Sequence, residues 1–401
     1  MDNKHFPILC DDKRCTGCLA CVNSCHFGAL KMKTNEEGFY RPMLEESKCV
    51  KCNLCEKSCP IVTPPTRFDK KDIVTYAGWH KNDDVRYSST SGGAFTALAE
   101  MVLGKGGSVF GAAYSDDLHV VHIEVKTKEE LSRLRLSKYA QSYIGETMKV
   151  VRSRLEDKKM VLFVGTPCQV AGLKNYLHRD YENLLMVDFF CHGVPSNNLL
   201  QAYIKWLEGR HGKINNLVFR DKRKGWYDSL RVVEKANGKK HILRGFEDAY
   251  WVTFNNYDSS MQECCYACEV QGFPRVSDVT IADFWRIGQH IPFGHIDDIE
   301  KGVSLVAINN PNKLSLIKEI RKNMFLELRT IEESISGNPA SIKSSIRPKD
   351  RDTIYNDLKV MGFDQLRRKY MVPSRNQLMV KIFREWLPFC IIKHVRLRKQ
   401  K

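Results

Sequence analysis

From residue 73 onward the apolar positions fall into short runs that alternate between strand-like and helix-like spacing. "IVTYAGWH", beginning at Ile73, reads as a strand. "GGAFTALAEMVLGKGG" reads as a helix opened and closed by glycine, with Phe95, Leu98, Ala99 and Val102 on one face. "SVFGAAY" and "HVVHIEV" follow as strands, "KEELSRLRLSKYAQSYIGETMKVVRSRLEDKK" as helices around a polar break, and "MVLFVG" and "LLMVDFF" as buried strands. This alternation predicts an α/β domain over residues 73–340 built on parallel strands. Within it, residues 213–243 carry "NNLVFRD" and "DSLRVVEKANGKKHILR", which read as an antiparallel insertion turning at Asn237-Gly238. The run "PIVTPPTRFDKKD", with three prolines and a charged end, places a linker at 63–72 and sets off a first domain at 1–62.

The first domain is defined by cysteine spacing. "RCTGCLACVNSCHFGAL" has the C-x2-C-x2-C-x3-C pattern, and "KCVKCNLCEKSCP" repeats it, closing in Cys59-Pro60. Three thiolates at that spacing wrap one corner of a 4Fe-4S cube while the fourth cysteine serves the other cluster. One cluster is therefore expected on Cys15, Cys18, Cys21 and Cys59, and the other on Cys49, Cys52, Cys55 and Cys25. Zinc knuckles are the competing reading, but they close with paired C-x2-C ligands, which repeated triplets do not supply. Cys10 lies outside both triplets and reads as a spare thiol. The first domain is thus a bacterial-type dicluster ferredoxin unit, and the overall fold expected is mixed, α+β followed by α/β.

Composition narrows the setting. Fifteen cysteines, and "MDNKHF" where an apolar export segment would stand, lead to the expectation of a reducing cytoplasm. Runs such as "MVLFVG" are far shorter than the roughly eighteen residues that cross a bilayer, so no transmembrane segment is expected. The net charge of +16 is uneven: residues 341–401 hold eight lysines and eight arginines against four aspartates and one glutamate, a net +11. This stretch is expected to be a basic helical tail ending in "VKIFREWLPFCIIKHVRLRKQK". It would be a solvated appendage, a membrane-surface contact or a dock for an acidic partner. Nucleic acid is disfavoured, because no recognised binding motif accompanies the charge.

Two features of the central domain carry chemistry. "YSSTSGGAFTAL" brings a hydroxyl-rich loop into a helix through Gly92 and Gly93, a start that presents amide protons to a pyrophosphate or to a flavin edge. An ordinary serine-capped helix is the plainer reading. A flavin has a reason to be there, since it accepts two electrons together and releases them singly to one-electron clusters. Cys168 and Cys191 each fall just past the carboxyl end of an expected buried strand, where ligands gather in open α/β sheets. "ECCYACE" adds Cys265 and Cys268, with Cys264 competing for the place of Cys265. Four convergent thiolates would hold a third 4Fe-4S cluster; buried free thiols are the alternative.

The segments "SSTSGGAFTALAEMVL", "LSKYAQS", "VLFVGTPCQVAGLK", "CHGVPS", "FRDKRKGW" and "SDVTIADFW" together resemble the coenzyme F420 hydrogenase/dehydrogenase beta-subunit family. The resemblance covers most of the chain, behind the two-cluster ferredoxin unit. It implies an iron-sulfur flavoprotein that exchanges electrons with a redox partner protein, a deazaflavin such as coenzyme F420, or a small organic substrate. By the same resemblance FAD would be surrounded by Ser91, Gly92, Gly93, Lys138, Gln141 and Thr166. Cys168, Cys191, Cys265 and Cys268 would hold the cluster beside it. Two positions depart from the family pattern: Arg286 stands where glycine is common and Glu269 where proline is common. The expected function is an oxidoreductase. Its rival is an electron-transfer subunit without a substrate site of its own.

Overall fold

A computed structural model describes residues 5–371 and Met379. Residues 372–378 of the basic tail and its "VKIFREWLPFCIIKHVRLRKQK" end lie outside the described residues.

Residues 5–62 contain an antiparallel hairpin, β1 (Leu30–Thr34) and β2 (Tyr40–Leu44), with Leu30 opposite Leu44. Two short helices, Ala20–Asn23 and Leu54–Ser58, accompany it. Each helix follows a left-handed residue between the second and third cysteine of a triplet, Leu19 at φ 63° and Asn53 at φ 57°. The sequence repeat is therefore also a conformational one.

The second unit runs through β3 (Val74–His80), β4 (Ser108–Tyr114), β5 (Val120–Val125), β6 (Val161–Val164) and β7 (Leu184–Phe189). It continues with β8 (Ile214–Asp221), β9 (Leu230–Lys235), β10 (Lys240–Leu243), β11 (Val279–Asp283), β12 (Ser304–Ile308) and β13 (Met324–Arg329). Eight of these make one sheet in the order β13-β3-β12-β11-β7-β6-β4-β5. The expectation of parallel strands holds only at its centre. β4, β6, β7 and β11 are mutually parallel neighbours, whereas β5, β12, β3 and β13 all pair antiparallel. The physical reason is that β4 and β5 form a tight hairpin and that β3 enters between two later strands, pairings that local hydrophobic spacing does not encode. The insertion is a separate antiparallel sheet, β10-β9-β8, with Gly238 at φ 77° in its β9–β10 turn.

The helix Ala94–Leu103 buries Leu98, Ala99 and Val102 in the main core. Each of the two larger side chains contributes about 1.5–3 kcal/mol by leaving water. The stretch expected as helices around a polar break contains a single α-helix, Thr147–Glu156. Before it only a 3-10 turn, Glu129–Arg133, forms, and the "SKYAQS" segment is irregular chain. The helices Arg351–Val360 and Phe363–Tyr370 fold back onto the body, where Phe363 and Leu366 join Tyr203 and Leu207 in a second core. Arg351 forms a bidentate ion pair with Glu37, joining this segment to the first domain. Among the described residues no helix is long and apolar enough to cross a membrane.

Candidate iron-sulfur and cofactor sites

The eight cysteines of the first domain divide between two cavities. One is lined by Cys15, Cys18, Cys21 and Cys59, and the other by Cys25, Cys49, Cys52 and Cys55. The short helices explain the division. Cys21 and Cys25 bracket one helical turn and Cys55 and Cys59 another, so the two ends of each helix face different cavities. Cys10, expected to be a spare thiol, also lines the first cavity and hydrogen-bonds to Cys59. That bond lowers the pKa of the Cys59 thiol and raises that of Cys10.

A third cavity is lined by Cys168, Cys191, Cys264, Cys265 and Cys268 together with Thr16, Gly17, Gln141 and Gln262. Thr166 caps the helix Pro167–Leu177 in a capping box with Gln169, and its hydroxyl lies 3.1 Å from Cys168 Sγ. Cys168 thus sits in the first turn, at the positive end of the helix. The helix packs directly on the first domain: a Cβ on Gly172 would stand 2.9 Å from Cys18 Sγ. Burial pushes the thiols of Cys168 and Cys191 well up, and that of Cys268 to about 11. Thiolates form here only if a cation compensates, and four convergent cysteine sulfurs are the donor set an iron-sulfur cluster takes. Within the adjacent pair, Cys264 is pushed up and Cys265 down by the hydrogen bond between them, so Cys265 is the more readily ionised.

Beyond the third cavity opens a fourth, of about 690 Å³, bordered by Ser91, Gly93, Lys138, Thr166 and Cys191. Its walls carry the cations Arg135, Arg220 and Arg231 and the aromatic rings of Tyr139, Trp251 and Trp285. Both the volume and the mix of apolar wall with a few placed polar groups suit a cofactor-sized ligand. Arg220 Nη2 is buried without a hydrogen-bond partner, which leaves a cationic donor in the wall unsatisfied. Lys138 Nζ donates to the carbonyls of Arg133 and Arg135, and burial lowers its pKa to about 7. The buried His122 is pushed down to about 4 and stands neutral, with Nδ1 2.6 Å from Ser142 Oγ.

Not every expected residue faces this cavity. Gly92 does not line it; its N–H donates to Ser304 Oγ at 2.9 Å, and a Cβ there would meet the Gly78 carbonyl at 2.5 Å. Ser91 Oγ donates to the Val303 carbonyl, while Lys222 Nζ donates to the carbonyls of Ser91, Arg86 and Lys301. Gln141 turns the other way, toward the first domain. Its Nε2 donates to the Thr16 carbonyl at 3.1 Å and its Oε1 accepts from Tyr40 N at 3.0 Å.

Several residues of the sites carry no isolated signal in the sequence. Gln262 ties the third cavity to Cys15. His192, held by Asp258 at 2.5 Å, borders both the third and fourth cavities. Asp283 accepts from Trp226 Nε1 at 2.7 Å and Arg220 Nη1 at 3.2 Å, so "FRDKRKGW" and "SDVTIADFW" meet in one hydrogen-bonded node. The two departures from the family pattern also acquire roles. Arg286 adopts a left-handed φ of 62°, the conformation glycine takes without cost. Glu269 forms a bidentate pair with Arg14 at 2.8 and 3.0 Å, joining the residue before Cys15 to the residue after Cys268.

Two cysteine-lined cavities in a small domain, abutting a third thiol cavity, define an iron-sulfur protein. Residues 14–62 match the family model of the 4Fe-4S dicluster domain. Residues 158–334 match the model for the C terminus of the Coenzyme F420 hydrogenase/dehydrogenase beta subunit. Residues 158–334 thus form a domain of this beta-subunit family, behind a 4Fe-4S dicluster domain. Among curated proteins, the Archaeal-type glutamate synthase (NADPH) of Thermotoga sp. strain RQ2 and that of Thermotoga maritima are each 33% identical to it over 97 residues. The match covers 23% of this chain and only 18% of those relatives. A solved structure of the xenon-derivatised F420-reducing (NiFe) hydrogenase complex from Methanosarcina barkeri aligns with a TM-score of 0.44 at 15% identity, over 76% of this chain and 91% of that one.

Proposed function

We propose that the chain is an iron-sulfur flavoprotein oxidoreductase that moves electrons between its dicluster domain and FAD, and on to a deazaflavin coenzyme or a small organic substrate. The observation that carries this reading is the serial arrangement of the cavities. The Cys15 cavity and the third cavity share Thr16 and Gly17, and the third and fourth share Thr166, Cys191 and His192.

In this reading Cys15, Cys18, Cys21 and Cys59 hold one 4Fe-4S cluster, and Cys25, Cys49, Cys52 and Cys55 the second. Cys168, Cys191, Cys265 and Cys268 hold the third, and Cys264 and Cys10 act as hydrogen-bond donors to ligand sulfurs. Ser91, Gly93, Lys138 and Thr166 border the FAD site, where Lys138 and Arg220 supply positive charge toward a pyrophosphate or the flavin ring. When bound, the flavin joins two-electron exchange with substrate to single-electron exchange with clusters. The protein's own part is to fix spacing, to exclude water from the thiol cavities, and to place His192 between the third cavity and the ligand cavity.

Anaerobic isolation followed by cofactor extraction tests this. Release of about one FAD per chain, identified by chromatography, is the expected result. Iron without flavin would favour an electron-transfer subunit that delivers electrons to a partner enzyme.

A further inference from the structure

Away from the cavities, two imidazoles and one carboxylate converge on the insertion. His211 is the last residue of the helix Asn197–His211, His241 stands on β10, and Glu247 lies in the 3-10 turn Gly245–Asp248. Three separately folded elements thus contribute one side chain each. Glu247 Oε1 lies 2.9 Å from His211 Nε2, and its Oε2 lies 3.0 Å from His241 Nε2. The ring centroids are 4.1 Å apart. One ligand atom from each of the three residues lies within 4.8 Å of the other two. The side chains of His211 and Glu247 are only 12% and 13% exposed, so two of the three donors are largely withdrawn from water.

We propose that His211, His241 and Glu247 form a binding site for a divalent cation of the zinc class, separate from the iron sites. Two neutral imidazoles with one carboxylate give a donor set of net charge −1, matched to a dication. Nitrogen and oxygen ligands in this number are those zinc takes when a fourth position is left to water. Sharing a cation needs each Nε2 free of its proton, so the metal replaces the two N–H to carboxylate bonds of the metal-free form.

The site has a mechanical role. The Tyr203 hydroxyl donates to the Glu247 carbonyl at 2.6 Å, and the next residue, Asp248, forms an ion pair with Arg231 in the wall of the fourth cavity. The chain then continues into Trp251 and Phe254 of the same wall. A cation at this point fastens the end of the helix Asn197–His211 and β10 to the start of that wall.

The test uses cluster-loaded full-length protein, equilibrated anaerobically with about one equivalent of zinc and then dialysed. About one zinc per chain should remain, with an X-ray absorption first shell of nitrogen and oxygen at about 2.0–2.1 Å and no sulfur. His211→Asn and His241→Asn should each lose this zinc while iron content stays unchanged. Glu247→Gln, an isosteric change that keeps a hydrogen-bonding partner for the imidazoles, should weaken zinc retention at least tenfold and serves if a histidine variant fails to fold. No retained zinc in the wild type, a sulfur-containing shell, or unchanged retention in Glu247→Gln would each overturn the assignment.

Discussion

Gln262 donates from Nε2 to the carbonyl oxygen of Cys15 at 2.8 Å, across 247 residues of sequence. It stands three residues before Cys265, and its Oε1 accepts from Gln141 Nε2 at 3.2 Å. The two buried glutamines therefore form a hydrogen-bonded spacer between a thiol loop of the first domain and the third thiol cavity. Gln262→Ala leaves the Cys15 carbonyl and Gln141 without these partners, at a cost of about 1–3 kcal/mol. A lower thermal midpoint with full iron content is expected, together with weaker magnetic interaction between the clusters in the reduced state. Unchanged spectra and stability would mean that the spacer contributes nothing.

Cys168→Ser should remove about four of about twelve iron atoms and leave the dicluster domain intact, because its ligand set is separate. The adjacent pair gives a sharper comparison. Cys265→Ser is expected to lose the same cluster, whereas Cys264→Ser should retain it with a shifted reduction potential, since only a donor to sulfur is removed. Iron analysis and reduced-state paramagnetic resonance of the three variants check both statements.

How far the sites were legible depended on whether a residue's role is local in sequence. The division of these cysteines between two cavities follows from spacing, because cysteines two residues apart can reach neighbouring irons of one cube. "MVLFVG" and "LLMVDFF" could be read as buried strands because both faces of a central strand are apolar. The order of the antiparallel half was not readable. β3 pairs with β12 and β13, more than two hundred residues later, and nothing in "IVTYAGWH" names those partners. Gln141 was expected beside the flavin with Lys138, yet its side chain points to Tyr40 and Thr16. In irregular chain, residues three apart have no fixed facing, so that division required the fold.

The paired glycines show the same limit and give a prediction. Both were expected to open the helix start to a ligand, but Gly92 is enclosed by sheet backbone, with the Gly78 carbonyl and Ser304 N at 2.5 and 2.6 Å from a built Cβ. Gly92→Ala should therefore destabilise the fold itself, by about 1–3 kcal/mol or more, with or without flavin. The neighbouring Gly93 lines the cavity at φ 94°. Thermal melts of flavin-free Gly92→Ala against wild type decide this; an unchanged midpoint would be inconsistent with the enclosure.

Lys138 predicts a pH dependence. Its folded pKa is lowered to about 7 by burial, below the ordinary lysine value. In the flavin-free protein the folded state gives up a proton that the unfolded state keeps, so this group adds stability as pH rises above about 7. An anionic cofactor restores the charge and favours proton uptake. Flavin affinity should accordingly fall as pH rises from about 7 to 9, and Lys138→Met should bind more weakly with a flatter profile. Fluorescence titration of the deflavinated protein at several pH values measures it; equal slopes for the two proteins would remove Lys138 from the site.

The central claim is that three clusters and one flavin lie in series within a single chain. An anaerobic reductive titration, followed by flavin absorbance and by paramagnetic resonance, counts the redox centres directly. About five electron equivalents per chain are predicted, one for each of three clusters and two for the flavin. Uptake of only about two equivalents, with no flavin bleaching, would contradict the account and leave a two-cluster ferredoxin joined to a domain without redox chemistry.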